Sequence, residues 1–274
     1  MMRSLLVLMV FALAGHGGLV HAASGGHIDH HMTPDLFDKP SLQRGARLYV
    51  DYCFGCHSLK YQRYELTADG LGVPHNVVEE LLIPNGQKIG ALMEIAMPDD
   101  QSKNWFGASP PDLTNVARVR GVDWIYSYLK GFYVDPERPL GVNNVVFPNV
   151  GMPHALLELQ GTVYWGCDMV PQTVERESIV PGVAPTVYEK RDPLVAGKAV
   201  LHEECNRLVH VEGSGLMTPE EYDQVAYDLT NFLYYVGEPK RLARYEIGIY
   251  VLLFLIVLFV FTYLLGREYQ KEVH

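Results

Sequence analysis

Cysteine is scarce in this chain, with four among 274 residues, and only three tryptophans accompany them. So few thiols exclude a small scaffold held together by many disulfides, in which roughly a tenth of all positions are cysteine. Basic charge is short as well: 22 lysines and arginines stand against 32 aspartates and glutamates, a formal net charge of -10. That balance lacks the basic stripe needed to neutralise phosphates, which excludes nucleic acid as a partner and favours basic proteins as docking partners. No internal repeat is present, so solenoids and propellers are excluded. Strand-like alternation is sparse, and glycine and proline are spread through the middle of the chain. What remains is ordinary for a folded protein, with 48% hydrophobic and 20% charged residues.

Two apolar runs mark the ends. Arg3 precedes the run from Ser4 to Ala14, and small residues around Val20-His21-Ala22 follow it. This is the pattern of a cleavable export signal, and the run is too short for a comfortable membrane span. Residues 1–22 are therefore read as a signal peptide, with a mature chain that starts near Ala23 outside the cytoplasm, where disulfides can form. Near the other end, Ile247 to Leu265 reads IGIYVLLFLIVLFVFTYLL without a charge, and only Tyr250, Thr262 and Tyr263 bring hydroxyls. About nineteen residues at 1.5 Å rise cross the apolar core of a bilayer. Lys240, Arg241 and Arg244 before the run slightly outnumber Arg267 and Lys271 after it, but an exported domain ahead of a stop-transfer segment sets the topology. The expectation is an exported domain over residues 23–240 and a single-pass anchor with a short cytoplasmic tail over 241–274, in contact with membrane lipid. The setting is a bacterial-type inner membrane, with the domain on its periplasmic side.

Three helices are legible between these ends. Pro40-Ser41 opens one that carries Leu42, Gly45, Leu48 and Tyr49 on a face, and Gly45 leaves room for another helix to cross closely. Thr218-Pro219-Glu220-Glu221 supplies an N-cap, a proline at the first position and a capping-box glutamate. Behind it Tyr222, Val225, Ala226, Leu229, Phe232, Leu233 and Val236 recur at helical spacing until Gly237, which makes this the partner expected to cross Gly45. A third helix is expected over Asp123 to Lys130, stopped by Gly131. The domain reads as mainly α with long loops. Asp99 and Asp100, ahead of Trp105 and Phe106, read as a solvated loop edge, and His27, His30 and His31 as part of a mobile polar segment.

The chemistry sits in Asp51-Tyr52-Cys53-Phe54-Gly55-Cys56-His57. Two thiols three positions apart on one turn can add to the two vinyl groups of a haem, and the histidine behind them then presents an imidazole to the iron. Zinc would require two further ligands in a tight group, and Cys167 and Cys205 lie far apart in the chain. A redox dithiol would follow a strand of a βαβ unit, and none precedes this motif. The reading is one covalently bound haem c, with Cys53 and Cys56 as attachment points and His57 as proximal ligand. In an exported domain the two remaining thiols, Cys167 and Cys205, are expected to pair with each other.

A methionine on the far side of the iron would close the site and favour electron transfer, whereas an open position suits oxygen chemistry. Met152 lies in FPNVGMPH, a loop between Gly151 and Pro153, and is the first choice; Met217 is the second, while Met93 and Met97 lie in a helix-like run where packing explains them. The motif and the anchor also suit a membrane-bound haem enzyme such as a peroxidase, or a ligand sensor, with His75, His154 or His210 above an open iron. A tethered electron carrier acting outside any larger assembly is the third option.

The runs GASPPDLTNVARVRG, DWIYSYLKGFY, FPNVGMPHALLELQG and DLTNFLYYVGEP, in that order after the haem motif and before a single C-terminal span, resemble cytochrome c1, the haem subunit of the quinol:cytochrome c oxidoreductase (bc1) complex. The likeness covers nearly the whole mature chain. It implies a c-type cytochrome haem domain with one C-terminal transmembrane helix, and Met152 as the sixth ligand. It also implies that the segment holding Pro111 packs on the haem, and that Arg120, with Arg118 as competitor, meets the haem propionates. The implied partners are cytochrome b, a Rieske iron-sulfur protein as donor and a soluble c-type cytochrome as acceptor. Enzyme activity would belong to the whole oxidoreductase, with no separate substrate chemistry in this chain.

Overall fold

The computed structural model of the chain describes residues 30–84, 86–166, 172–176, 186–190 and 207–272. Helix α1 (Lys39–Leu48) starts where the Asp38 carboxylate accepts from the Ser41 amide at 3.0 Å. It continues into a single π-helical turn, Tyr49–Cys53, which carries the chain into the cysteine motif. After strand β1 (Leu59–Arg63) come α2 (Tyr64–Leu71), α3 (His75–Leu81), strand β2 (Leu92–Met93), α4 (Asp99–Phe106), α5 (Val116–Val119) and α6 (Val122–Lys130). Strands β3 (Phe132–Val134) and β4 (Val142–Asn144), the short α7 (Leu157–Gln160) and strands β5 (Val163–Gly166), β6 (Gln172–Arg176), β7 (Thr186–Lys190) and β8 (Arg207–His210) follow. The chain closes with α8 (Pro219–Gly237) and α9 (Arg241–Glu272). The strands form antiparallel pairs, β1 with β2, β3 with β4, β5 with β8 and β6 with β7, so they serve as clasps on a helical body.

The body is built on the crossing of α1 and α8. The Thr218–Glu221 capping box is present in both directions, at 2.9 and 3.3 Å. Tyr222, Val225, Ala226, Leu229, Phe232, Leu233 and Val236 are all buried. At Gly45 the two helices touch backbone to backbone: an added Cβ would strike the carbonyl of Asp228 and lie 2.7 Å from the Phe232 Cβ. Beside this contact Arg44 forks onto the Asp228 carboxylate at 2.5 and 2.9 Å, and Gln224 donates to it at 2.9 Å. That carboxylate is only 3% exposed, so it is tolerated inside because its lone pairs are taken up. Helix α6 covers another side of α8, where the Tyr222 hydroxyl donates to the Leu129 carbonyl at 2.7 Å.

Three expectations are corrected. The segment from His30 is tied down rather than mobile: the Ser127 hydroxyl meets both the amide and the carbonyl of His30, the Met32 amide donates to Asp123, and the buried Asn231 exchanges two hydrogen bonds with the Asp35 backbone. Side chains on α6 and α8 satisfy its backbone, which holds an otherwise polar strap in place. Asp99 and Asp100 are solvated but open helix α4, where carboxylates in the first turn complement the exposed amides. Met93 lies in strand β2 and is buried, with the Thr67 hydroxyl on its sulfur at 3.5 Å, so it packs as expected but not on a helix.

Helix α9 is long and apolar enough to cross a membrane, over Arg241–Lys271. Its start is held to α8 by Glu238, which pairs with both Arg241 and Arg244. The Arg241 guanidinium also lies 4.9 Å from the Tyr234 ring centre. Inside the span, the Thr262 hydroxyl returns to the Leu258 carbonyl at 3.0 Å, which satisfies that donor within the helix. Residues 1–29, with the expected signal, and Cys167 and Cys205, with the expected disulfide, lie outside the described residues.

Candidate haem site

The cysteine motif leaves α1 as a tight turn, with the amides of Cys56 and His57 both reaching the Cys53 carbonyl at 3.0 and 2.9 Å. Both cysteines are free thiols, Cys53 buried and Cys56 half-exposed. Burial, with a smaller contribution from Cys56, pushes the Cys53 thiol up to about 12, so it stays protonated when unreacted. The His57 side chain is buried, and its Nδ1 lies 2.7 Å from the Pro111 carbonyl oxygen. A carbonyl only accepts, so Nδ1 carries the proton and the lone pair is on Nε2. Burial lowers the His57 pKa, against the opposing pull of the Pro111 carbonyl and Asp112, which keeps the imidazole neutral at pH 7. The Tyr49 hydroxyl donates to the His57 carbonyl at 2.5 Å and fixes the backbone behind the ring.

The Pro110–Leu113 segment is bolted to the chain that follows His57. The Asp112 carboxylate accepts from the amides of Lys60 and Thr114 at 2.7 and 3.0 Å, and the Leu113 amide donates to the Ser58 carbonyl at 3.0 Å. Two prolines in a row have no amide hydrogens of their own to satisfy, so Asp112 and Leu113 set where the Pro111 carbonyl points.

Met152 belongs to a second group. Its loop is organised by the β4 asparagines: Asn144 Oδ1 accepts from the amides of Val146 and Phe147 at 2.9 and 3.2 Å, and Asn143 Oδ1 accepts from the Asn149 amide at 2.8 Å. Asn149 takes a left-handed φ of 64°, a conformation asparagine tolerates better than most residues. The Met152 side chain packs beside Phe132, Val142 and Val150, and its sulfur lies 3.3 Å from the Tyr128 hydroxyl. Tyr128 stacks on Trp124 at 4.9 Å with 9° between the planes, and the Arg120 guanidinium lies 5.1 Å from the Trp124 ring centre. Arg118 is placed differently: its Cγ would lie 3.3 Å from a Cβ on Gly237, against the end of α8.

Cys53, Cys56, His57 and Pro111 thus form one group, and Met152 and Arg120 are joined through the α6 aromatics into another. Met217 packs against the main core at the start of α8, with its amide on the Leu159 carbonyl. Of the histidines considered for an open iron, His75 pairs with Asp69 at 2.8 Å on the surface, and His210 lies in β8 opposite Val163. His154 stacks flat on Phe132 at 4.7 Å, and burial pushes its pKa down to about 4. The residues that motif reading passed over are Trp124 and Tyr128. Their signal was present, because Trp124, Tyr128 and Phe132 recur every four positions, an aromatic stripe along α6 and just beyond its end.

These donors fit a haem of the c type: two unbridged thiols on one turn, an imidazole whose free nitrogen is Nε2, and a thioether on a separately braced loop. The chain matches the model of the Cytochrome C1 family over residues 29–178 and 212–273. It is 44% identical over 269 residues to a cytochrome c1 of Allochromatium vinosum, covering 98% of this chain and 99% of that protein. A protein of Nitrosomonas europaea described as an ammonia monooxygenase gamma subunit is 39% identical over 253 residues, 92% of each chain. A cytochrome c1 of Cereibacter sphaeroides is 26% identical over 302 residues, 98% of this chain and 95% of that one. The chain belongs to the cytochrome c1 family, haem proteins of respiratory electron transport, and among its described residues the C-terminal helix is the one long and apolar enough to cross a membrane.

Proposed function

We propose that this chain carries electrons within a bc1 complex, from the Rieske iron-sulfur protein to a soluble c-type cytochrome, with cytochrome b as its neighbour in the membrane. The observation that carries the reading is the 2.7 Å contact between His57 Nδ1 and the Pro111 carbonyl, which leaves Nε2 free as an iron ligand. A bound haem supplies the one-electron ferric/ferrous couple. Cys53 and Cys56 would hold it by thioether bonds to its vinyl carbons, each thiol hydrogen passing to the vinyl group, so that no net oxidation is needed. His57 and Met152 would hold its iron, a pair of ligands suited to electron transfer and not to chemistry on a bound substrate.

Arg120, exposed at the end of the α6 stripe, is the arginine we assign to the propionates in preference to Arg118, whose stem lies against α8. Its role is electrostatic, to offset two carboxylates at the haem edge. Pro111 acts through its carbonyl, which orients the His57 ring and makes the imidazole a stronger donor. The haem domain would face the periplasm of a bacterial-type inner membrane, held there by α9. The acidic balance of the chain suits a basic acceptor drawn in by long-range attraction.

The test is the spectrum of the reduced protein with and without carbon monoxide, for the unsubstituted chain and for Met152→Leu. The unsubstituted protein should hardly respond, and Met152→Leu should keep its covalent haem, lose the weak methionine-to-iron band and bind carbon monoxide. A strong response from the unsubstituted protein would favour an open-site enzyme or sensor instead. Purification in mild detergent should bring along a b-type cytochrome and an iron-sulfur protein; recovery of the chain alone would favour a free carrier.

A further inference from the structure

We infer that Tyr128 is a positioning residue for Met152, donating its phenolic hydrogen to the thioether and thereby raising the reduction potential of the site. The inference rests on the reading of Met152 as the sixth ligand. A thioether sulfur has two lone pairs: one can bind iron, and the other remains a weak acceptor. The Tyr128 hydroxyl lies 3.3 Å from that sulfur, within range for a hydrogen bond to sulfur, and burial raises its pKa above the ordinary phenol value, so it is a donor at neutral pH.

The donor is held in place from several directions. Trp124 stacks on one face of the ring, and Phe132 meets it at 5.1 Å and 73°. The backbone beneath is fixed too, because Asn144 Nδ2 donates to the Tyr128 carbonyl at 2.8 Å. The same asparagine takes the amides of Val146 and Phe147 on its Oδ1, at the start of the loop that leads to Met152. One buried side chain therefore ties the donor helix to the acceptor loop, which keeps the hydroxyl and the sulfur in register.

The sign follows from electron donation. A hydrogen bond draws density from the sulfur and weakens it as a donor to iron. Ferric iron depends on that donation more than ferrous iron does, so the bond favours the reduced state.

Tyr128→Phe isolates the hydroxyl, since the ring and its stacking partners remain and only one weak hydrogen bond is removed. In the membrane-bound protein, redox titration should show the ferrous-to-ferric ratio at fixed ambient potential falling about three- to tenfold, ~30 to 60 mV for a one-electron couple. The methionine-to-iron band should persist but move. An unchanged potential and band in Tyr128→Phe would overturn the inference. So would a shift seen only in Tyr128→Leu, which would assign the effect to ring packing. Met152→Leu separates the two readings: a band that survives there removes Met152 as ligand, whereas a band lost there beside a silent Tyr128→Phe removes only the role of Tyr128.

Discussion

Gly45 on α1 and Phe232 on α8 approach so closely that a methyl group on the glycine would lie 2.7 Å from the Phe232 Cβ, with the Asp228 carbonyl nearer still. The crossing fixes the helix that leads into Cys53, Cys56 and His57. Gly45→Ala should drive the helices apart. Overpacking of this kind costs about 1 to 3 kcal/mol, more than the ~1 kcal/mol by which alanine favours a helix over glycine. Chemical denaturation should show a lower midpoint with little change in slope. A midpoint equal to or above that of the parent would mean that the contact is not what sets the crossing.

Asp223 gives a pH dependence of known sign. Desolvation by itself would raise its pKa, but hydrogen bonds from Lys130 at 2.5 Å and Tyr126 at 2.6 Å outweigh it, and the folded pKa is lowered. A depressed carboxylate stabilises the fold above its unfolded value, about 3.9, and loses that contribution as pH falls through the folded value. The aspartate is 45% exposed, so solvent screening holds the contribution to about 1 kcal/mol or less. Asp223→Asn should therefore be less stable than the parent at pH 7, with the difference closing below about pH 4. A gap that stays constant down to pH 3 would trace the effect to packing instead of charge.

Transfer to a basic soluble cytochrome should slow as salt rises above physiological strength, because exposed charges are screened over about 8 Å there. Asp99 and Asp100 on α4 are exposed, and the chain as a whole carries -10. Stopped-flow rates over a range of ionic strength measure this. Rates indifferent to salt would remove charge steering from the account.

Cys167 and Cys205 are proposed to be bridged. Gly166 pairs with Arg207 across β5 and β8, so the described ends of the intervening segment are brought side by side. Closing a loop of roughly forty residues stabilises a fold by about 3 to 4 kcal/mol on chain entropy. Peptide mapping without reductant should recover the two residues linked. Recovery of both as alkylatable thiols would refute the bridge.

The sequence by itself was enough for the features whose cause is local. A charge-free run long enough to span a bilayer needs no knowledge of its neighbours, and α9 forms over it. The capping box at Thr218 and Glu221 starts α8 because both partners lie within one turn of each other. The thiol pair and His57 could be read together because haem attachment sets their spacing within five residues. Even the close crossing at Gly45 was legible, since a missing side chain on an apolar face admits another backbone.

Tertiary structure decided what depends on groups far apart in the chain. The partner of His57 Nδ1 is a backbone carbonyl at Pro111, and no side-chain pattern marks which carbonyl will be turned inward. The hydroxyl on the Met152 sulfur comes from Tyr128, and the stripe of aromatics to which it belongs reads in sequence simply as core. Arg118 and Arg120 lie two residues apart and look equivalent on paper; they part only because α5 ends between α8 and Trp124, so that one stem lies on the Gly237 backbone and the other guanidinium on an indole. The polar strap from His30 is ordered for the same reason: its hydrogen-bond partners stand on α6 and α8, and a segment whose order is lent by distant side chains carries no local sign of it.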